Sequence, residues 1–251
     1  MHVKKQFAGL VEESTLRKAP ASFFMTLRDI AFWVRSARSD AALAKLQATM
    51  GLRESLNQLY RSKCDPWGAT LRRFRYQRQK YETLISMLPR RQYDNVLDVG
   101  CGLGEFARQF TPYAGQILGI DISSEAIEQA RQMSEGFTKV HYTQADIYDF
   151  GAQGPCFDLI VLADVLYYVV PLTDRMLKVL AEKIAGLLAP GGLLLLANHY
   201  FFQVDQASRQ TRYIHDFFRR SSRLVSVAEY ARAFYLATIM KRIEVSTTRR
   251  L

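Results

Sequence analysis

Val96-Leu97-Asp98-Val99-Gly100-Cys101-Gly102-Leu103-Gly104-Glu105-Phe106 reads as a buried strand, a glycine turn and the opening of a helix. In α/β sheets such a junction brings backbone amides up to a nucleotide-like ligand. The glycines are spaced Gly-x-Gly-x-Gly, which is not the Gly-x-Gly-x-x-Gly of a dinucleotide site. No Gly-Lys-Ser/Thr follows, as a phosphate loop would need. Asp98, one residue inside the strand end, would turn a carboxylate toward an incoming ligand. A negative charge there favours a cationic group and disfavours a pyrophosphate.

Outward from this junction, short apolar runs alternate with helical ones. Ile117–Ile120, Val140–Thr143, Phe157–Ala163 and Leu193–Ala197 read as strands, the third apolar enough for a sheet buried on both faces. Ser124–Met133 and Thr173–Leu188 read as helices, the second stopped by Ala189-Pro190-Gly191-Gly192. Arg212–Arg220 reads as helix, and Leu224–Glu229 and Phe234–Met240 as two further strands. The alternation predicts a doubly wound, Rossmann-like α/β sheet. Before it, Ser22–Val34, Ala41–Tyr60 and Leu71–Leu88 show helical spacing, with Ser39-Asp40 as an N-cap between the first two and a turn at Asp65-Pro66-Trp67-Gly68. The division expected is a helical extension, residues 1–64, and an α/β domain, residues 65–251.

Two more carboxylates fall at strand ends. Asp121 closes Ile117-Leu118-Gly119-Ile120, where it could accept from both ribose hydroxyls. Asp146 follows the third strand, placed to accept from an adenine amino group. Ligands of open α/β sheets bind at that edge, and three acids in succession suit a positively charged adenosyl donor, S-adenosylmethionine.

The motifs Val96–Gly104, Gly119-Ile120-Asp121, Ala145-Asp146 and Leu188-Ala189-Pro190-Gly191-Gly192 resemble those of class I S-adenosylmethionine-dependent methyltransferases, over about residues 60–245. The resemblance implies a seven-stranded sheet. It also implies a cofactor site of Asp98, Gly100, Cys101, Gly102, Gly104, Asp121, Ile122, Ala145, Asp146, Ile147 and Ala163, with Trp67, Tyr76 and Lys80 closing over the cofactor. Asp65-Pro66-Trp67, Tyr76–Tyr81 and Phe157–Tyr168 resemble, more narrowly, the nodulation protein S group. That implies N-methylation of an amino sugar, a de-N-acetylated chito-oligosaccharide.

Methyl transfer needs an acceptor held in line with its lone pair free. Asp164, Tyr167 and Tyr168 follow the fourth strand, where Asp164 could hold the acceptor nitrogen or take its proton, and the tyrosines could orient it. His199 follows the fifth strand directly, as a candidate base. An amine acceptor is the main expectation. A hydroxyl acceptor with His199 as base, a nucleic-acid methyltransferase and a non-catalytic S-adenosylmethionine-binding subunit are the alternatives.

The net charge of +10 is segregated. Residues 1–91 carry 18 Lys+Arg against 7 Asp+Glu, residues 92–198 carry 6 against 13, and residues 199–251 carry 10 against 4. If Arg72, Arg73, Arg75 and Arg78 flanked one cleft with Arg209, Arg212, Arg219, Arg220 and Arg223, a nucleotide-linked or phosphorylated sugar would fit. The helix holding His215 could then be a lid. No RNA-binding module is recognisable, which disfavours nucleic acid. Three cysteines without Cys-x-x-Cys spacing indicate neither a disulfide framework nor a metal site, with Cys156 a buried thiol. No signal peptide or membrane span is evident, so a cytoplasmic protein is expected, with the N-terminal helices available for self-association.

Overall fold

Seven strands form one sheet in the order β3-β2-β1-β4-β5-β7-β6. The computed structural model describes residues 27–71, 74–151, 157–168, 172–200, 205–232 and 234–244. The strands are β1 (Tyr93–Val99), β2 (Ala114–Asp121), β3 (Val140–Gln144), β4 (Phe157–Ala163), β5 (Leu188–Tyr200), β6 (Leu224–Arg232) and β7 (Phe234–Arg242). The first five run parallel, β7 is antiparallel to β5, and β6 is antiparallel to β7. The helices are α1 (Leu27–Gln47), α2 (Leu52–Ser62), α3 (Arg75–Met87), α4 (Glu105–Phe110), α5 (Ser124–Met133), α6 (Asp174–Leu187) and α7 (Gln206–Arg219).

Strand period explains the two-sided core. Leu159 and Val161 of β4 join Phe106, Phe110 and Ile127 of α4 and α5 on one face. Ile160 and Leu162 join Leu177, Leu180 and Ile184 of α6, with Ile214 and Phe218 of α7, on the other. Local signals set the helix starts: Ser123 accepts from Ala126 N, Thr173 from Met176 N and Asp205 from Ser208 N.

Three expectations are corrected. Helix α1 runs through Ser39-Asp40 without a break; Ser39 is buried and its hydroxyl donates to the Pro66 carbonyl at 2.5 Å. A tertiary partner has taken the side chain that would otherwise cap. Residues 22–26 of the first expected helix, and Cys156, lie outside the described residues. Strand β5 starts at Leu188 and absorbs Ala189–Gly192 as an irregularity, since Phe157 pairs with Leu188 but Leu159 pairs with Leu193. Helix α7 is not a lid along its length. His215 is fully buried against the sheet between Thr238 Oγ1 (2.7 Å) and Asn198 Oδ1 (3.2 Å), and burial lowers its pKa to about 3.

Helices α1 and α2 dock on the carboxyl edge of the sheet. Leu43, Leu56 and Leu59 pack with Trp67, Ile122 and Tyr168, and Asn57 Oδ1 accepts from Ser123 Oγ at 2.8 Å. The N-terminal helices therefore wall the site. Among the described residues, no helix is long and apolar enough to cross a membrane.

Candidate active site

The carboxyl ends of β1, β2, β4 and β5 face one cavity of about 720 Å³, at the switch point between β1 and β4. The glycine turn forms its floor. Gly100 has φ +69°, and a Cβ there would lie 2.3 Å from Val165 Cγ2. A side chain would meet both backbone strain and a clash. The amides of Gly100 and Cys101 both donate to Ile120 O, at 2.8 and 3.0 Å. Asp121 clasps the turn to the end of β2, accepting from Gly102 N at 3.0 Å and Ser123 N at 2.9 Å. Each carboxylate oxygen keeps a lone pair for a ligand hydroxyl. Asp146 accepts from Tyr148 N at 2.9 Å through one oxygen and also lines the cavity. Cys101, Gly102, Ile122, Ala145, Ile147 and Ala163 complete this end. Burial pushes the Cys101 thiol well up, so it stays protonated and is no nucleophile.

Asp98 and Gly104 do not line the cavity. Gly104 caps α4 at φ +73°, where a Cβ would overlap the Tyr142 ring. Asp98 lies behind the turn, 3% exposed, and its Oδ2 is buried without a hydrogen-bond partner. Burial, with the Asp121 charge adding to it, pushes its carboxyl up to about 7. An orphaned buried acid behind the turn favours positive over negative charge on a ligand at the turn, which fits the cationic S-adenosylmethionine.

The turn before α3 is rigid because the Asp65 carboxylate accepts from Gly68 N, Ala69 N, Thr70 N and Thr70 Oγ1, at 2.8–2.9 Å. It carries Trp67 to 5.7 Å from Tyr60 and 5.6 Å from Tyr168, ring to ring. Asp40 of α1 accepts from Trp67 Nε1 at 2.8 Å and from the Tyr168 hydroxyl at 3.0 Å. Arg35 donates to the Asp65 carbonyl. Together with Ser39, these bonds strap α1 across the opening.

At the β4–β5 end, Asp164 has φ +58°, a conformation uncommon outside glycine that recurs at functional sites. Its amide donates to Ala197 O at 2.8 Å, and its carboxylate pairs with the buried Lys80, whose Nζ lies 5.4 Å from the Tyr235 ring centroid. His199 Nε2 is 3.8 Å from Asp205 Oδ2. Burial outweighs that neighbour and holds the imidazole below 6.5, neutral at pH 7. Trp33 sits among rings, with centroids 5.2 Å from His199, 5.1 Å from Tyr76 and 5.0 Å from Phe234. Phe32 is 5.1 Å from Tyr76. Tyr76, Lys80 and Trp67 all line the same cavity as Gly100 and Gly102, Tyr76 among the rings near His199 and Lys80 on Asp164. Tyr167 packs at 4.4 Å on Tyr168, and both face the cavity.

The cavity is acidic. Among the described residues lining it, Asp40, Asp65, Glu105, Asp121, Asp146 and Asp164 face one lysine, Lys80, and no arginine. The expected arginine-flanked cleft is corrected: Arg212 and Arg219 pair with Glu229, Arg223 with Glu182 and Arg78 with Glu82. Arg72 and Arg73 lie outside the described residues. No group of three or more potential metal ligands occurs among the described residues. Sequence reasoning missed Asp40, Phe32, Trp33 and Phe234. The adjacent bulky rings of Phe32-Trp33 were the one available signal.

The family described as "Methyltransferase domain" matches residues 91–237. Nodulation protein S of Sinorhizobium fredii is 30% identical over 134 residues, 53% of this chain and 60% of the relative. Carboxy-S-adenosyl-L-methionine synthase of Aliivibrio fischeri is 33% identical over 148 residues, 55% of this chain and 59% of the relative. The chain thus spans about six tenths of the length of these relatives. The solved N-methyltransferase NodS of Bradyrhizobium japonicum, in complex with S-adenosyl-L-homocysteine, shares the fold at TM-score 0.62 and 20% identity, over 84% of this chain and 99% of that one.

Proposed function

The chain belongs to the S-adenosylmethionine-dependent methyltransferase-domain family, and from that premise we propose that it methylates the amine of a small molecule. The observation that carries this reading is a single cavity joining the glycine turn to a chamber holding Asp40, Asp164 and a neutral His199. Asp40 is within electrostatic reach of both Asp164 and His199. Lys80 balances Asp164, so Asp40 leaves the chamber with a net negative charge, which attracts an ammonium better than a phosphate.

S-adenosylmethionine, when bound, would supply an electrophilic methyl on a sulfonium, with the neutral thioether as leaving group. Asp121 would hold its ribose and Asp146 its adenine, and the bare glycine turn would leave room for its amino-acid end. The chain's own task is the acceptor. Asp164, fixed by Lys80 and by its bond to Ala197, holds the amine nitrogen at the end of β4. His199 is neutral at working pH and accepts the proton that must leave before nitrogen can attack. Tyr168, oriented by Asp40, and Trp67 screen the reacting centre from water. The amino-sugar acceptor of the nodulation protein S group is one version of this reading. A neutral His199 would serve a hydroxyl acceptor too, but the excess of carboxylates favours the amine.

The test is product mass after incubation with S-adenosylmethionine and a panel of amines, alcohols and generic RNA, with Asp121→Ala as control. Methylated amine from the parent, with at least ~tenfold weaker cofactor binding by Asp121→Ala, is expected. Methylation confined to alcohols or RNA would overturn the reading.

A further inference from the structure

We infer that the acceptor amine is carried on a flat apolar body, as in an arylalkylamine, and not on a glycan. The inference rests on the methyl-transfer reading above and names its substrate class. Beyond Asp164 and His199 the chamber is walled by Phe32, Trp33, Tyr76 and Phe234. These rings pack against one another at 5.0–5.1 Å, so the wall is preformed. Planar ligands stack on such a surface with little ordering of the protein.

A buried amino sugar has the opposite requirement. Each hydroxyl taken from water must find a partner, or its desolvation is uncompensated. Among the described residues, several polar groups at this end are engaged with one another, and the wall itself offers one buried unpartnered donor, Trp33 Nε1. Lys80 is committed to Asp164, Gln77 donates to Tyr81 at 2.8 Å, and Asp40 already accepts two hydrogen bonds. What remains is the uncompensated Asp40 carboxylate, with the Lys80-paired Asp164, beside an aromatic wall. That arrangement suits an ammonium one to a few bonds from a ring.

The experiment compares kcat/KM of the full chain, with S-adenosylmethionine, for phenethylamine, tryptamine, glucosamine, de-N-acetylated chitobiose and phenethyl alcohol. The arylalkylamines should exceed the amino sugars by at least ~tenfold. Trp33→Leu should raise the arylalkylamine KM about tenfold, with the cofactor KM within about twofold of the parent, and Trp33→Phe should restore most of it. Amino sugars used as well as arylalkylamines would overturn the inference. So would no turnover of any arylalkyl compound, or a KM unmoved in a folded Trp33→Leu. Should Trp33→Leu fail to fold, the substrate ranking and Trp33→Phe decide alone. Methylation of phenethyl alcohol but of no amine would refute the amine reading while leaving the apolar wall standing.

Discussion

Replacing Asp98 with asparagine should make the ligand-free protein relatively more stable as pH rises. The parent carboxyl is buried and pushed up from 3.8 to about 7, whereas in the unfolded chain it titrates near 3.9. Between those values the unfolded state has released a proton that the folded state keeps, so stability falls as pH increases through the window. The ionisation penalty reaches about 1.5 kcal/mol at pH 5 and about 4 kcal/mol at pH 8. Asparagine cannot ionise, and whatever its amide costs is the same at both pH values. The gap between variant and parent should therefore shift by about 2–3 kcal/mol in the variant's favour from pH 5 to pH 8. Denaturant unfolding of both ligand-free proteins at the two pH values measures it. A bound ammonium would relieve the penalty, so cofactor binding by the parent should tighten over the same range and that by the variant should not. A stability gap that stays constant, or moves the other way, refutes the account of Asp98.

Gly100→Ala places a methyl 2.3 Å from Val165 Cγ2 at φ +69°, and should destabilise the fold by about 2–5 kcal/mol in thermal or denaturant unfolding. Adding Val165→Ala should relieve the contact with Cγ2 but leave Val165 Cβ at 2.9 Å and the backbone strain, so only part of the loss should be recovered. His199→Gln should flatten the acidic limb of kcat/KM below pH 6.5, because the parent imidazole is held neutral down to a pKa under that value. An acidic limb identical in variant and parent would remove His199 from proton transfer.

How much of this was legible in the residues depends on whether the signal was local. Phe157–Ala163 and Ser124–Met133 coincide with β4 and α5, because apolar runs and a serine cap act within their own segment. The acids at the ends of β1, β2 and β3 were placed by strand ends alone, and Asp121 and Asp146 line the cavity. Asp98 instead sits behind the turn, a depth that spacing does not encode. Ser39-Asp40 misled because their cap propensity is overridden by partners 27 and 128 residues away. Charge counting misled similarly: Arg212 and Arg219 are balanced by Glu229 on a neighbouring strand, a pairing visible only once β6 lies beside α7. Trp33 and Asp40 carry no motif, so their part in the site follows only from where α1 docks.

That docking gives one rod two duties. The end of α1 bearing Leu43 leans, through Leu56 and Trp67, on Ile122 beside the glycine turn, while Phe32 and Trp33 near its other end roof the chamber at His199. A ligand at either end would touch the same helix, so the two affinities are expected to depend on each other.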